Sequence, residues 1–260
     1  ETAVNERKIG DLYYIPASNV GKKPISGHLK MGGRNPAGES IDANSYFLTK
    51  NGRPWLPVMG EIHFARTPRE TWEESLLKMK AGGVEIVATY VFWIYHEESE
   101  GVFDWKGNKD LRAFAQLCAK HGLYLYPRIG PWAHGECRNG GFPDWLYGKC
   151  KARTMDPAYF TFAKRLYAQT FSHLSGMLYR EGGPVMGVQL ENEFFACGGE
   201  GGTQHMMALK DMAREVGFDV PLYTATGWGF SPIPQYEMIP VSGGYPDAPW
   251  SGGSEKLPPS

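Results

Sequence analysis

Gly182-Gly183-Pro184-Val185-Met186-Gly187-Val188-Gln189-Leu190-Glu191-Asn192-Glu193-Phe194 leaves a turn, crosses an apolar run and ends in a cluster of acids and amides. Gly-Gly-Pro marks a tight turn, and the short apolar run behind it reads as a buried strand whose polar residues stand where it leaves the core. Two carboxylates and two amides are costly to bury without a task, because an unpaired charge must find partners or change its protonation state. The plainer reading ties Glu191 and Glu193 into structural hydrogen bonds, and the rest of the chain has to decide between the two.

The stretch belongs to a series. Val58 to Phe64 reads as a strand, and Pro68 to Ala81 as a helix with Trp72, Ser75, Leu76 and Met79 on one face, opened by Thr67 and Pro68 and stopped by Gly82-Gly83. Val84 to Trp93 is a second strand. Leu111, Phe114, Ala115 and Cys118 mark the next helix, which ends at His121-Gly122, and Leu123 to Ile129 is a third strand. Helical spacing over Pro157 to Tyr179 leads into the opening stretch; a helix over Gln204 to Val216, a strand over Val220 to Thr226 and a sixth strand near Met238 to Gly243 follow. Strand, loop and helix recurring in this way is the βαβ signature of a parallel sheet.

An open doubly wound sheet and a closed barrel both fit that rhythm. No phosphate-cradling GxGxxG or GxxxxGK follows the first strand, which disfavours the nucleotide-binding sheet. Polar and aromatic residues instead gather after every strand: Glu61 and His63; Tyr90, Trp93 and His96; Trp132, His134 and Glu136; Asn192 and Glu193; Thr226 and Trp228. A barrel collects its active site from the C-terminal ends of many strands in this manner. The expected fold is therefore α/β, a (β/α)8 TIM barrel over residues 44–260 that stops before its last strands, since a closed barrel needs eight. Residues 1–43 are rich in Gly, Pro, Asn and Ser and read as an irregular N-terminal arm. Asn51-Gly52, between the apolar runs at Tyr46 to Leu48 and Pro54 to Leu56, predicts a β-hairpin capping one end of the barrel.

Composition narrows the function. With 27 basic and 28 acidic residues the net charge is -1, so neither nucleic acid nor an anionic membrane is expected as a partner. No apolar run is long enough to span a bilayer, and a first residue of Glu rather than Met is compatible with a leader already removed, giving a secreted or periplasmic expectation. Aromatic residues are 13% of the chain, and many stand beside Gly, His or acids, a pairing that suits a sugar whose C–H faces stack while its hydroxyls need polar partners. Cys118, Cys137, Cys150 and Cys197 lack CxxC spacing, which disfavours a zinc knuckle or redox pair; Cys137 and Cys150 are the nearest pair for a disulfide.

Cleaving an acetal needs a proton for the leaving oxygen and a second carboxylate that traps or stabilises the cationic sugar. If Glu193 is that acid, Asn192 beside it could bond a sugar hydroxyl, though the residues alone do not rank Glu193 above Glu191. Neighbours on an ideal strand face opposite ways, so both reach one pocket only at a strand end or a bulge. No cofactor is implied, since protonation and covalent trapping need only carboxylates.

The stretch from Gly182-Gly183-Pro184 to Gln189-Leu190-Glu191-Asn192-Glu193-Phe194 closely resembles the acid/base signature of glycoside hydrolase family 35, the β-galactosidases. In the family's order come Gly60-Glu61-Ile62-His63-Phe64-Ala65-Arg66, Leu77-Lys78-Met79-Lys80, Thr89-Tyr90-Val91-Phe92-Trp93, Arg128-Ile129-Gly130-Pro131, and Gly135-Glu136 with Gly140-Gly141-Phe142-Pro143. The resemblance covers roughly residues 46 to 226. It implies a retaining exo-glycosidase acting on an oligosaccharide or glycoside, with Glu193 as acid/base and Asn192, Glu136 and Tyr90 holding the non-reducing sugar; Trp93, Gly135 and His63 complete the expected pocket.

The family's nucleophile, a Glu ending the seventh strand, has no counterpart here; Glu255 is the one late candidate, in a Gly-Ser loop. Cys137 stands where better-known members carry Trp, Ile94 where they carry Asn, and Ala133-His134 where they carry Ile-Cys. Two other readings remain: a carbohydrate-binding barrel without catalysis, and a metal-dependent barrel hydrolase using His63, His96 and His134, though no HxH or HExxH pair supports the latter.

Overall fold

The computed structural model describes residues 7–9, 12–14, 23–29, 33–194, 201–227, 233–234 and 236–242. At the N-terminal side β1 (Arg7–Ile9) and β2 (Leu12–Tyr14) pair antiparallel. β3 (Gly33–Arg34), β4 (Ser40–Ala43), β5 (Leu48–Lys50) and β6 (Arg53–Trp55) form a four-stranded antiparallel sheet in chain order. The expected hairpin is β5–β6, turned by Asn51 and Gly52 at φ 53° and 74°, the positive pair that a tight two-residue turn requires. The arm is less irregular than expected, because β4 pairs with β5 across the boundary at residue 43. Ser40-Ile41-Asp42-Ala43 is too short to announce itself by periodicity.

This sheet plugs the barrel from below. Ile41, Leu48 and Trp55 pack against Ile86, Ala88, Tyr126, Met186 and Tyr223, and the Trp55 indole donates to Glu85 at 3.2 Å. Glu85 and Tyr124 stand where their strands begin, and Lys50 lies over the Tyr124 ring at 5.3 Å.

Above the plug, β7 (Met59–Glu61), β8 (Ile86–Tyr90), β9 (Tyr124–Arg128), β10 (Val188–Asn192), β11 (Leu222–Gly227) and β12 (Ile239–Ser242) form one parallel sheet whose spatial order is the chain order. Six consecutive parallel strands, with a helix between each neighbouring pair from β7 to β11, make this a (β/α)8 barrel architecture, and β12 is the expected sixth strand. Alternation sorts the faces: Ile86, Ala88, Tyr126 and Tyr223 line the interior, while Val87, Leu125, Val188, Leu190 and Leu222 join the core beneath the helices.

The outer layer is α1 (Trp72–Ala81), the single turn α2 (Trp93–His96), α3 (Leu111–Lys120), α4 (Pro157–Leu174) and α5 (Gly202–Val216). Asp110 and Asp156 cap α3 and α4 by accepting from Ala113 and Ala158 N–H, satisfying donors that a helix start leaves free. α1 starts later than expected: Pro68 opens a 3₁₀ turn over Arg69–Thr71, and Thr67 makes no cap. Cys118, Cys137 and Cys150 are free thiols, so Cys137 and Cys150 do not pair; Cys197 lies outside the described residues. Among the described residues no helix is long and apolar enough to cross a membrane.

Candidate active site

β10 does not end as a regular strand. Val188 and Gln189 face Leu222 and Tyr223, but Asn192 faces Ala225, so three steps on β10 match two on β11. The extra residue is absorbed by left-handed backbone at Glu191 and Glu193, φ 56° and 50°. Each such position costs a non-glycine residue about 1–3 kcal/mol and persists only where surrounding contacts hold it. Regular alternation from Gln189 would aim Glu191 into the barrel and Asn192 at the helices. The bulge exchanges them: Asn192 joins the interior beside Arg128, and Glu191 turns outward to Arg153 and His205.

Glu191 is 1% exposed, and its Oε2 accepts from Arg153 Nη2 at 2.7 Å and Nε at 3.2 Å. A carboxylate held in that fork is a structural ion pair. Glu193 is only half-buried, so its carboxyl is the one of the two that remains accessible. The two carboxyls, which the residues alone left unranked, thus stand in different surroundings.

Facing Asn192 is a polar shelf contributed by three strands. Arg128 lies over the Tyr90 ring at 3.8 Å, donates to Asn192 Oδ1 at 2.6 Å and pairs with Glu61. Gln189 Nε2 also donates to Asn192 Oδ1, at 3.1 Å. With its oxygen occupied twice, the Asn192 amide has its NH2 left to donate. His63 packs edge-on to Tyr90 and Phe92 at 5.1 and 5.4 Å. Arg66 can only donate to His63 Nδ1, at 3.3 Å, so Nε2 carries the hydrogen that Glu61 accepts at 2.9 Å. Burial pushes the Glu61 carboxyl up, but the His63 hydrogen bond and the Arg128 charge and hydrogen bond outweigh it and hold it below its ordinary value. Burial raises the Tyr90 phenol well above its ordinary value against the pull of Arg128, with the Glu61, Glu136 and Glu193 charges assisting. Tyr90 therefore keeps its proton and can donate it in a hydrogen bond.

The loop after β9 closes over this shelf. Gly135 has φ 52°, and a Cβ there would lie 2.9 Å from the Phe92 ring and 3.0 Å from that of Tyr90. Only glycine lets the loop rest on these rings. The Gly135 carbonyl accepts from Arg66 at 2.9 Å, so this residue serves by close packing. Glu136 is exposed, its carbonyl accepting from Arg66 at 3.2 Å. Arg138, two residues on, pairs with Asp144 at 2.9 Å. Glu136 lines a cleft of ≈ 640 Å³ with Arg66, Ile94, Tyr95, Cys137 and Arg138.

Tyr90, Asn192, Gly135 and His63 are thus brought together, with Glu136 and Glu193 close enough to Tyr90 to act on its charge. Trp93 is not part of this group. β8 ends at Tyr90 and the chain turns into α2, carrying Trp93 into the core at 0% exposure, where its indole donates to Glu97 at 2.6 Å. His96 is equally buried, stacked on Trp105 at 3.9 Å, while His134 is exposed. Among the described residues no group of three His, Cys, Asp or Glu side chains could hold a metal. Trp228 and Glu255 lie outside the described residues.

Sequence reasoning missed Arg128 and Arg153 as site residues. Arg128 could have been found, since Tyr124, Tyr126 and Arg128 share one strand face by period two. Arg153 sits in a loop without periodicity and gives no such signal.

The sequence model of Glycosyl hydrolases family 35 matches residues 47–238. Relatives include a beta-galactosidase of Xanthomonas manihotis, 35% identical over 69% of this chain and 30% of its own length. Another is a beta-galactosidase of Mus musculus, 36% identical over 72% of this chain and 29% of its own. Beta-galactosidase 17 of Arabidopsis thaliana is 33% identical over 86% of this chain and 33% of its own. The chain spans about a third of the length of these relatives. Among solved structures, an exo-beta-1,4-mannosidase from Opitutaceae bacterium strain TAV5 aligns with a TM-score of 0.56 at 18% identity, over 77% of this chain and 34% of that one. A beta-galactosidase from Marinomonas ef1 aligns at 0.54 and 12% identity, over 74% and 41%. These two likenesses speak to the barrel fold alone. With the family match spanning most of the barrel strands described above, the chain belongs to Glycosyl hydrolases family 35.

Proposed function

We propose that the complete protein is a retaining exo-glycosidase that removes terminal β-linked galactose from glycosides by double displacement, with Glu193 as the acid/base. The observation that carries this reading is the bulge ending β10, which leaves the Glu193 carboxyl accessible beside an Asn192 amide that offers only its NH2. In the first half-reaction Glu193 gives its proton to the glycosidic oxygen as the bond to the sugar breaks, and a carboxylate about 5 Å away traps the anomeric carbon. That nucleophile is contributed by chain outside the described residues. In the second half-reaction Glu193, now ionised, takes a proton from the attacking water. Asn192, Glu136 and Tyr90 hold the sugar hydroxyls, and the Asn192 contact strengthens as charge develops on the ring. The likeness in sequence to beta-galactosidases supports galactose as the sugar.

The test is hydrolysis of nitrophenyl β-galactoside, β-glucoside and β-mannoside by the complete protein, with the anomer formed first identified by NMR. The expected result is preference for the galactoside with retention. Glu193→Gln should lower turnover by several orders of magnitude on alkyl leaving groups and far less on dinitrophenyl, which needs little proton assistance. Inversion, or an equal loss on both leaving groups, would sink the assignment.

A further inference from the structure

We infer that Arg153 and Glu191, backed by His205, are positioning residues for Glu193: a buried ionic clamp that fixes the bulge carrying the acid/base. The inference rests on the role proposed above for Glu193. The clamp joins three parts of the chain. Arg153 comes from the loop before α4, Glu191 from the end of β10 and His205 from the first turns of α5.

Its chemistry is set by the backbone it grips. One nitrogen, Arg153 Nη2, donates both to Glu191 Oε2 at 2.7 Å and to the Asn192 carbonyl at 2.9 Å. The same Oε2 accepts from Asn192 N–H at 3.2 Å. Three further main-chain groups are satisfied as well: Glu191 N–H by Gly130 O at 2.8 Å, Glu191 O by Gln189 Nε2 at 2.8 Å, and Glu193 N–H by Ala225 O at 3.0 Å. Rotating the peptide that leads into Glu193 would therefore break contacts on both sides of it. Arg153, Glu191 and Glu193 all hold left-handed backbone, at φ 56°, 56° and 50°, so no local preference keeps this path. The guanidinium itself is confined between the Trp132 and Phe194 rings, at 4.6 and 5.3 Å.

His205 closes the rear. Its Nδ1 must donate to the Thr154 carbonyl at 3.0 Å, which leaves Nε2 facing Glu191 Oε1 at 3.8 Å. Both of these facing atoms are buried without a hydrogen-bond partner. His205 thus lies behind the Glu191 carboxyl, on the side away from Arg153.

A general acid must stay within hydrogen-bond reach of the oxygen it protonates, and a misplacement of about 1 Å can cost on the order of 10²-fold. Loosening the clamp should therefore resemble a partial loss of Glu193. In the complete protein, Arg153→Lys replaces a fork by a point charge that cannot bridge the same oxygens. Glu191→Gln keeps an acceptor for Arg153 and sets an amide N–H2 toward His205, so it is the milder change. The measurement is kcat/KM on methyl, nitrophenyl and dinitrophenyl β-galactosides, with thermal melting of each variant and Glu193→Gln as the reference.

Arg153→Lys is expected to lose about 10- to 100-fold on the methyl galactoside and less than about threefold on the dinitrophenyl one, with Glu191→Gln showing the same order at roughly a third to a tenth of the loss. Should Arg153→Lys fail to melt cooperatively, Glu191→Gln carries the test. Uniform losses across leaving groups, or none in either variant, while Glu193→Gln discriminates among them, would overturn the clamp and leave the acid/base intact. If Glu193→Gln itself does not discriminate, the acid/base assignment fails and the clamp falls with it.

Discussion

Glu191 and Glu193 stand two residues apart where β10 ends, share left-handed backbone, and end in opposite surroundings: Glu191 is 1% exposed in the Arg153 fork, whereas Glu193 keeps an accessible carboxyl. Removing one partner of a buried ion pair leaves the other charge uncompensated, at a cost of about 3–5 kcal/mol, while removing an accessible carboxylate costs little. Glu191→Ala is expected to lower the unfolding midpoint strongly, and Glu193→Ala to leave it within about 1 kcal/mol of the parent. Urea unfolding of both variants checks this, and equal destabilisation would contradict the separation of roles.

Asn192 gives a second expectation. Its Oδ1 already accepts from Arg128 at 2.6 Å and Gln189 at 3.1 Å, so under the proposed function its NH2 is the group left for a sugar hydroxyl. Asn192→Asp preserves the shape and both acceptor contacts but deletes that donor. A galactoside bearing its 2-hydroxyl should lose about 10²-fold or more in kcat/KM, and the 2-deoxy analogue markedly less, because the contact that strengthens in the transition state is already missing from it. Equal losses on the two substrates would show that the amide does not serve that hydroxyl.

The barrel was legible in the sequence because the first strands are apolar runs set off by turn residues and alternate with helices that show their own period. Tyr90 came from the family resemblance, and the structure sets it on the strand face it shares with Ile86 and Ala88. Alternation fails at both ends of the site. Extending β8 past Tyr90 misplaced Trp93, where the chain has already turned into α2, and extending β10 regularly would have pointed Glu191 at the sugar. A bulge depends on partners from distant loops, here Arg153 and the Gly130 carbonyl, and nothing within residues 188–193 announces them.

The burial of Trp93 has its own test. Its ring packs edge-on to Phe142 and Trp145 at 6.0 and 5.9 Å, and its N–H serves Glu97, which Arg165 also pairs. Trp93→Ala should cost about 3–5 kcal/mol of stability through the cavity it opens, whereas Trp93→Phe should cost less and leave KM for nitrophenyl β-galactoside within about twofold. A large rise in KM with unchanged melting would restore the ring to the sugar pocket.

His96 sets a pH dependence. Burial pushes its imidazole down from 6.5 to about 4; the Asp104 carbonyl at 3.1 Å opposes the shift, while the Lys109 and His173 charges reinforce it. The folded protein thus refuses, down to about pH 4, a proton that the unfolded chain takes up near 6.5. Stability contributed by the neutral ring is whole above pH 6.5, falls steadily between there and about 4, and is flat below, a change of about 3 kcal/mol at most. His173, also lowered by burial and stacked on the same Trp105 at 4.5 Å, adds a share of the slope in that window. Carboxylates lowered by their partners, such as Glu61, lose stability only below their ordinary value of 4.5, so the range above pH 5 isolates the histidines. Urea midpoints at pH 7, 6 and about 5 should decline for the parent and decline visibly less for His96→Phe, which keeps a ring stacked between Phe64 and Trp105 but cannot titrate. The variant's lower absolute stability does not affect this comparison, since the readout is the slope, and parallel slopes would assign the acid sensitivity elsewhere.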